Sequence, residues 1–303
     1  MKVLITGGAG FIGSHVAENL CKDKRVTKIT IIDNLSSGKK KNLDSIIKSK
    51  KIKFLKLDIF DLNKIKRYFK NISIVFHLAG NVDVLPSVSN PRKYMNNNLL
   101  GTLNVLESMK NYKVKKIIYA SSSSCYGDQG KISIKETNPI NIKSPYAFSK
   151  YSAEQLIILL SEIYNFSYIS LRLFNVYGPR SKMSGNYSSV ISIFLKQKKN
   201  KKLLTIVGKG NQSRDFIYVK DVAEAFKKAA FLNIKNQVFN LGTGKSITIN
   251  QLAKIIGGKK RNIPKRSGDI KYSKANNKKI IRKLKWKPKK NFFKNINMMI
   301  ENN

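Results

Sequence analysis

The sequence predicts an α/β fold, a doubly wound parallel sheet with a smaller lobe toward the C-terminus. Through the first half, short β-rich apolar runs alternate with amphipathic helical stretches. Those runs are apolar on both faces, as a sheet covered by helices on each side requires. A glycine-rich turn also joins the first run to the first helix. Repeated βαβ units satisfy all three observations.

The elements follow in order. "KVLIT" (2–6) is the first strand, and a helix starts at about Phe11. "KITIID" (28–33), "IKFLKLD" (52–58), "SIVFHLA" (73–79) and "KKIIYAS" (115–121) are the next four strands. Beyond "YISLRLFNVYGPR" (168–180) the rhythm loosens into shorter elements, with loops rich in Gly, Asn and Lys such as "VGKGNQSRDF". Such a region suits a lobe that closes over a ligand. The tail "LKWKPKKNFFKNINMMIENN" reads as a final short helix.

Composition narrows the function classes. A chain of 303 residues with 42% apolar content buries a sizeable core. Two cysteines, Cys21 and Cys125, are too few for a disulfide framework and lack metal-ligand spacing, so no metal is expected and a reducing compartment fits. "MKVLITGGAG" is too short for a signal peptide, and no segment approaches the roughly 18 apolar residues of a membrane span. The expected location is the cytoplasm. The net charge of +42 is that of a polyanion binder, yet the lysines are spread through "KKKNLDSIIKSKKIKFLKL" and "FLKQKKNKKLL" without aromatics between them. A nucleic-acid partner is therefore not expected. Against so many lysines, the nine arginines mark places that need a rigid two-pronged donor.

"VLITGGAGFIGSH" places Gly7, Gly10 and Gly13 after a strand and at the opening of a helix, where backbone amides and the helix dipole receive a pyrophosphate. Asp33 ends the second strand 20 residues beyond Gly13, where a carboxylate accepts hydrogen bonds from an adenosine ribose and repels a 2′-phosphate. NAD is the expected cofactor. The chain should divide into a dinucleotide-binding domain over 1–175 and a mainly substrate-binding lobe over 176–303, with some segments returning to the first domain.

"KSPYAFSK" (143–150) carries the second constellation. Ser144 is a good N-cap and Pro145 a good first helical residue, so Tyr146 and Lys150 share one face of a new helix. A free tyrosine has a pKa near ~10, and lowering it to neutrality takes roughly 4 kcal/mol of preference for the phenolate. A neighbouring ammonium, a cationic nicotinamide ring and the helix N-terminus together supply that order of energy.

With the Gly-x-x-Gly-x-x-Gly spacing, "SSSSCYG" (121–127) and "YAFSK", the chain resembles the extended short-chain dehydrogenase/reductase family, and within it the nucleotide-sugar epimerases. Further landmarks run in order along nearly the whole length: "IDNLSSG", "FHLAG", "NNLLGT", "LRLFNVYGPR", "QSRDFIYVKDVA", "FNLGTG" and "RSGDIKYS". The resemblance implies a Rossmann fold that holds NAD against Gly7, Gly10, Phe11, Ile12 and Gly13. It also implies Asp33 with Asn34, Asp58 and Ile59 by the adenine, Leu78 and Ala79 after the fourth strand, and Asn98 near a ribose. Ser122 would hold the reacting hydroxyl, Tyr146 would exchange its proton, and Lys150 would also hold the nicotinamide ribose.

On the substrate side the resemblance implies contacts from Ser122, Ser123, Tyr146 and Asn175. Arg214 and Arg266 would grip the diphosphate, and Asp269 the nucleotide ribose. Relatives that eliminate water carry an Asp-Glu pair where this chain has Ser123 and Ser124. That difference favours epimerisation of a UDP-hexose at C4 through a 4-keto intermediate. The resemblance also implies a homodimer joined through the helix of Tyr146 and Lys150 and the one beginning near "LLGTLNVLESM". Ser273 stands where the family has either a bulky Tyr or a small residue, so a 2-acetamido sugar would be admitted. A hexuronate 4-epimerase or a reductase of the same fold, and an NAD-sensing nucleic-acid-binding module, are the alternatives. His15 and His77 read as structural, and Arg172 and Arg180 have no assigned role.

Overall fold

The computed structural model describes residues 1–181, 189–264, 270–289 and 291–301. Its largest element is a seven-stranded sheet. It holds β1 (Lys2–Thr6), β2 (Lys28–Ile32), β3 (Ile52–Leu55), β4 (Ile74–His77), β5 (Lys116–Ser122) and β6 (Ser167–Leu173), together with strand Gln237–Leu241. The spatial order is Gln237–Leu241, β6, β5, β4, β1, β2, β3. β1 pairs in parallel with β2 on one side and β4 on the other, and β2–β3 and β4–β5 are parallel too. Every residue of β4, and all of β1 but Lys2, is buried, which accounts for apolar runs without alternation. The third strand stops at Leu55 rather than Asp58, because Asp58 turns its carboxylate back onto the Phe60 amide (2.8 Å).

Helices α1 (Phe11–Cys21), α2 (Leu62–Ile65), α3 (Val84–Ser89), α4 (Pro91–Tyr94), α5 (Gly101–Asn111) and α6 (Pro145–Ile163) connect these strands. One core cluster joins Leu4, Val75, Ile117 and Tyr119 of the sheet to Val105, Leu106 and Met109 of α5 and Ala153 and Ile157 of α6. The chain runs outward from β1 to β3 and then returns past β1 to β4. The sheet therefore changes direction between β1 and β4, and crevices at such points lie outside the carboxyl ends of the strands. The glycine turn follows β1, Leu78 and Ala79 follow β4, and Ser122 ends β5.

The chain forms two compact units. The first comprises 1–122, 144–172 and 223–239, and the second comprises 123–143, 173–222 and 240–303. The expected division falls at residue 175, with some later segments returning to the first domain. The chain crosses between units five times, and helix Val219–Phe231 begins in the second unit and ends in the first. The second unit has its own core of Tyr177, Phe194, Leu204, Phe216, Leu252 and Ile296. Its helix Ile249–Ile256 opens with a reciprocal cap between Thr248 and Gln251, and the tail helix spans Phe292–Glu301. Among the described residues no helix is long and apolar enough to cross a membrane, and no group of His, Cys, Asp and Glu could hold a metal ion.

Arg172, left without a role by the sequence, ties β6 to α6. Its Nη2 and Nε donate to the fully buried Glu154 carboxylate at 2.7 and 3.1 Å, and the Ser170 hydroxyl donates at 2.6 Å. Truncating one partner leaves the other charge buried without its ion-pair counterpart, which costs about 3–5 kcal/mol. Glu154→Ala should lower unfolding free energy by that amount in urea titrations. The double variant Glu154→Leu/Arg172→Met should recover most of the loss.

Candidate active site

Helix α6 starts as its sequence requires. Ser144 is extended and its Oγ accepts the Ala147 amide at 3.1 Å, with Pro145 at the first helical position. Tyr146 and Lys150 follow one turn apart, both buried. The Tyr146 ring meets Tyr94 edge-on at 6.4 Å. Lys150 Nζ sits 4.2 Å from the centre of the Tyr119 ring, which stacks on His77 at 5.5 Å. Burial pulls the Lys150 ammonium down to about 7, against the Glu154 carboxylate, which favours the charged form. Ser122 is buried at the end of β5, and Ser123 opens a short turn over Ser123–Tyr126. Ser121 Oγ is a buried hydroxyl without a hydrogen-bond partner.

The glycine turn is a tight backbone cradle. A Cβ on Gly13 would lie 2.1 Å from the Gly7 carbonyl oxygen, and one on Gly7, whose φ is +70°, would lie 2.6 Å from the Ala79 amide nitrogen. Gly10 is extended and caps α1 with no side-chain acceptor for the first-turn amides. Amide groups of Phe11, Ile12 and Gly13 thus face the space where an anion binds a helix terminus. Asp33 Oδ2 accepts the Ala9 amide at 2.9 Å and Oδ1 accepts the Leu35 amide at 2.8 Å. Burial raises its pKa and these amides oppose the rise. Asn34 Nδ2 donates to Asp58 Oδ2 at 2.7 Å, joining the ends of β2 and β3.

Ile59 packs into the core, where a Cβ on Gly101 would lie 2.7 Å from its Cδ1. Asn98 lies in a π-helical turn, Met95–Leu100, a wide turn often found at functional sites. Its amide clasps the Asn81 backbone, with Oδ1 accepting the amide at 2.7 Å and Nδ2 donating to the carbonyl at 3.0 Å. A Cβ on Gly80 would lie 3.0 Å from Asn98 Oδ1 and 3.7 Å from Lys150 Nζ, so the amide and the ammonium converge on Gly80. The uncapped amides, the buried carboxylate and this glycine-lined convergence suit a dinucleotide. All these residues, from Gly7 to Lys150, belong to the first unit.

The second unit holds Ser123, Asn175, Arg214 and Ser273, while Arg266 and Asp269 lie outside the described residues. Arg214 ends strand Ser213–Arg214, where its guanidinium donates to the Ser213 carbonyl at 2.9 Å. The Ser213 amide bonds the Lys271 carbonyl at 2.9 Å, which brings the segment of the buried Ser273 alongside that strand. The organiser here is Asp215, which the sequence reading missed. Its carboxylate accepts the Thr243 amide and hydroxyl, the Gly244 amide and the Ala275 amide, and it binds Asn175 through its backbone. The signal was an acid directly beside a prized arginine in "QSRDF". Tyr126 donates to Asn240 Oδ1 at 2.8 Å, and Cys125 beside it is buried.

Because Gly13 meets a backbone oxygen, Gly13→Ala must shift α1 away from the Gly7 turn. NAD affinity should fall at least about tenfold by calorimetry.

Comparison with known proteins agrees with this geometry. The NAD dependent epimerase/dehydratase family matches residues 3–242. The chain is similar in structure to a UDP-N-acetylglucosamine 4-epimerase from Methanobrevibacter ruminantium in complex with UDP-N-acetylmuramic acid. That match has a TM-score of 0.93 and 37% identity, covering 99% of this chain and 97% of that one. It is similar to a Thermus thermophilus UDP-glucose 4-epimerase in complex with NAD, with a TM-score of 0.89, 34% identity and coverage of 99% and 98%. In sequence it is 35% identical to a UDP-glucuronate 4-epimerase of Thermodesulfobacterium geofontis over 94% of this chain and 90% of that one. The match runs through the glycine cradle, β5 and α6 alike, and the chain belongs to the NAD dependent epimerase/dehydratase family.

Proposed function

We propose that the chain is an NAD-dependent 4-epimerase of UDP-hexoses, acting on UDP-N-acetylglucosamine and UDP-N-acetylgalactosamine and on UDP-glucose and UDP-galactose. The observation that carries this reading is the placement of Tyr146 and Lys150. They are buried one turn apart at a capped helix start, on the same unit as the dinucleotide cradle.

When bound, NAD supplies a reversible hydride acceptor. Ser122 holds the sugar 4-hydroxyl, and Tyr146 takes its proton and returns it when the 4-keto sugar is reduced from its other face. The Lys150 charge favours the phenolate, and with its pKa near 7 that help is fullest below neutrality and fades above it. Lys150 and Asn98 hold the nicotinamide ribose, and Asp33 holds the adenosine ribose. Gly7, Gly10, Phe11, Ile12 and Gly13 receive the pyrophosphate. Asn34, Asp58, Ile59, Leu78 and Ala79 complete the cofactor's surroundings.

On the substrate, Arg214 and Arg266 grip the diphosphate, Asp269 the ribose, and Asn175 and Ser123 the sugar phosphate and sugar. Ser123 and Ser124 carry hydroxyls that do not titrate near neutrality and cannot serve as the acid and base of an elimination, which argues against dehydration. The small Ser273 leaves room for an acetamido group. The solved relative that binds UDP-N-acetylmuramic acid, a 2-acetamido sugar nucleotide, supports that choice. The 35% identity to a UDP-glucuronate 4-epimerase supports a hexuronate as the second reading. The scarcity of cysteines suits the reducing cytoplasm, and a homodimer suits α6, which exposes Phe148, Leu159 and Ile163 as a stripe fit for a second copy.

Separate incubations with UDP-N-acetylglucosamine, UDP-glucose and UDP-glucuronate, followed by sugar analysis, test the function. Product should form without stoichiometric consumption of NADH, and a chain that inverts none of them sinks the reading. Tyr146→Phe should lower kcat at least about 100-fold while NAD stays bound. Ser273→Tyr should depress turnover of the acetamido pair selectively, and equal loss on both classes would refute the role of Ser273.

A further inference from the structure

One buried histidine and three buried hydroxyls lie between the loop after β4 and the start of α6, and none of them has a part in the chemistry above. Their hydrogen bonds form two linked runs. The Ala79 amide donates to Thr6 Oγ1 at 3.3 Å, and Thr6 Oγ1 lies 2.6 Å from His77 Nδ1. His77 Nε2 lies 2.8 Å from Thr102 Oγ1, which donates to the Asn98 carbonyl at 2.5 Å. The Asn98 side chain then donates to Ser149 Oγ at 2.9 Å, and Ser149 donates to the Tyr146 carbonyl at 2.9 Å.

Each hydroxyl has one proton to give, and with a neutral imidazole this settles every direction. A carbonyl only accepts, so the Thr102 proton goes to Asn98. Thr102 oxygen must then accept from His77, which puts the imidazole proton on Nε2. Nδ1 is therefore bare and accepts the Thr6 proton, which leaves the Thr6 oxygen to receive the Ala79 amide. The same logic orients the Asn98 amide, since its Oδ1 is committed to the Asn81 amide and only Nδ2 faces Ser149.

We propose that Thr6, His77 as its Nε2–H tautomer, Thr102 and Ser149 are positioning residues that hold the turn bearing Tyr146 and Lys150 in register with the loop Leu78–Asn81 and the Asn98 turn. The proposal rests on the assignment of Tyr146 and Lys150 as the reacting pair. The relay ends on the backbone of the turn between those two residues, and it begins on the amide that presses against Gly7. A charged imidazole would break the scheme, because Nδ1 would turn from acceptor to donor. Burial, and the positive charge of Lys150 nearby, push His77 down to about 3. Of the groups facing the ring, Tyr119 stacks on it and Lys150 repels its charge, so none favours protonation.

The chain has two histidines, so a protein labelled with ¹⁵N-histidine gives two imidazoles to resolve by NMR. At pH 7 one ring should carry its proton on Nε2 with a bare Nδ1, and His77→Asn or His77→Gln should remove that signal. A proton on Nδ1, or a charged ring, overturns the proposal. Thr102→Val keeps the shape and deletes the link. It should lower kcat about tenfold or more, with the UDP-sugar KM within about twofold and NAD content unchanged, and Thr102→Ser should restore kcat. Parental kcat in Thr102→Val overturns the proposal. If that variant fails to fold, Ser149→Ala cuts the last bond instead, with the same expected loss and the same overturning result. An inactive parent would sink the epimerase reading, and the NMR result would then decide the relay by itself.

Discussion

Burying an ammonium beside the end of a parallel sheet is the constraint on which the first unit is built. Lys150 is shielded from water, and an isolated buried charge is costly. The structure offsets that cost in graded steps. The Tyr119 ring presents its face to the charge, Glu154 favours it from farther along the helix, and the group itself titrates near neutrality. Glu154 is in turn held by Arg172 and Ser170 of β6, so the electrostatics of Lys150 and the seating of α6 have a common origin.

The same charge reaches sideways. His77 stacks on the Tyr119 ring, and the positive field of Lys150 adds to burial in keeping the imidazole neutral. Neutrality gives the ring one donor and one acceptor, the combination that Thr6 and Thr102 require. Residues that would look independent in a sequence thus form one electrostatic unit, in which charge at one place dictates protonation at another. Its outer members are the glycine turn after β1 and the wide turn that carries Asn98.

The second unit solves a different problem, how to hold several irregular segments without a large sheet. Asp215 does so with a buried carboxylate surrounded by amide donors from 243–244 and 275. Burial pushes its pKa up while the donors pull it down, so the ion and its donors are mutually dependent. Arg214 is the residue just before it, and its position follows from that anchor. Strand Lys260–Ile263, in a two-stranded sheet, exposes Lys260 and Arg261, and charged side chains on such an edge disfavour further strand pairing.

The sequence by itself determined the features whose causes are local. Glycines required by a tight turn, an acid at the end of β2, a Ser-Pro start to α6 and the one-turn spacing of Tyr146 and Lys150 were legible because their physics spans a few residues. So were five strands, with ends shifted by a few positions. Tertiary structure alone decided the pairings across long stretches of chain: Thr6 with His77, His77 with Thr102, Asn98 with Asn81 and Ser149, and Glu154 with Arg172. A buried serine, threonine or histidine has no periodicity to announce it. Its role depends on which donor or acceptor folding brings within about 3 Å, and that is a property of the packed molecule.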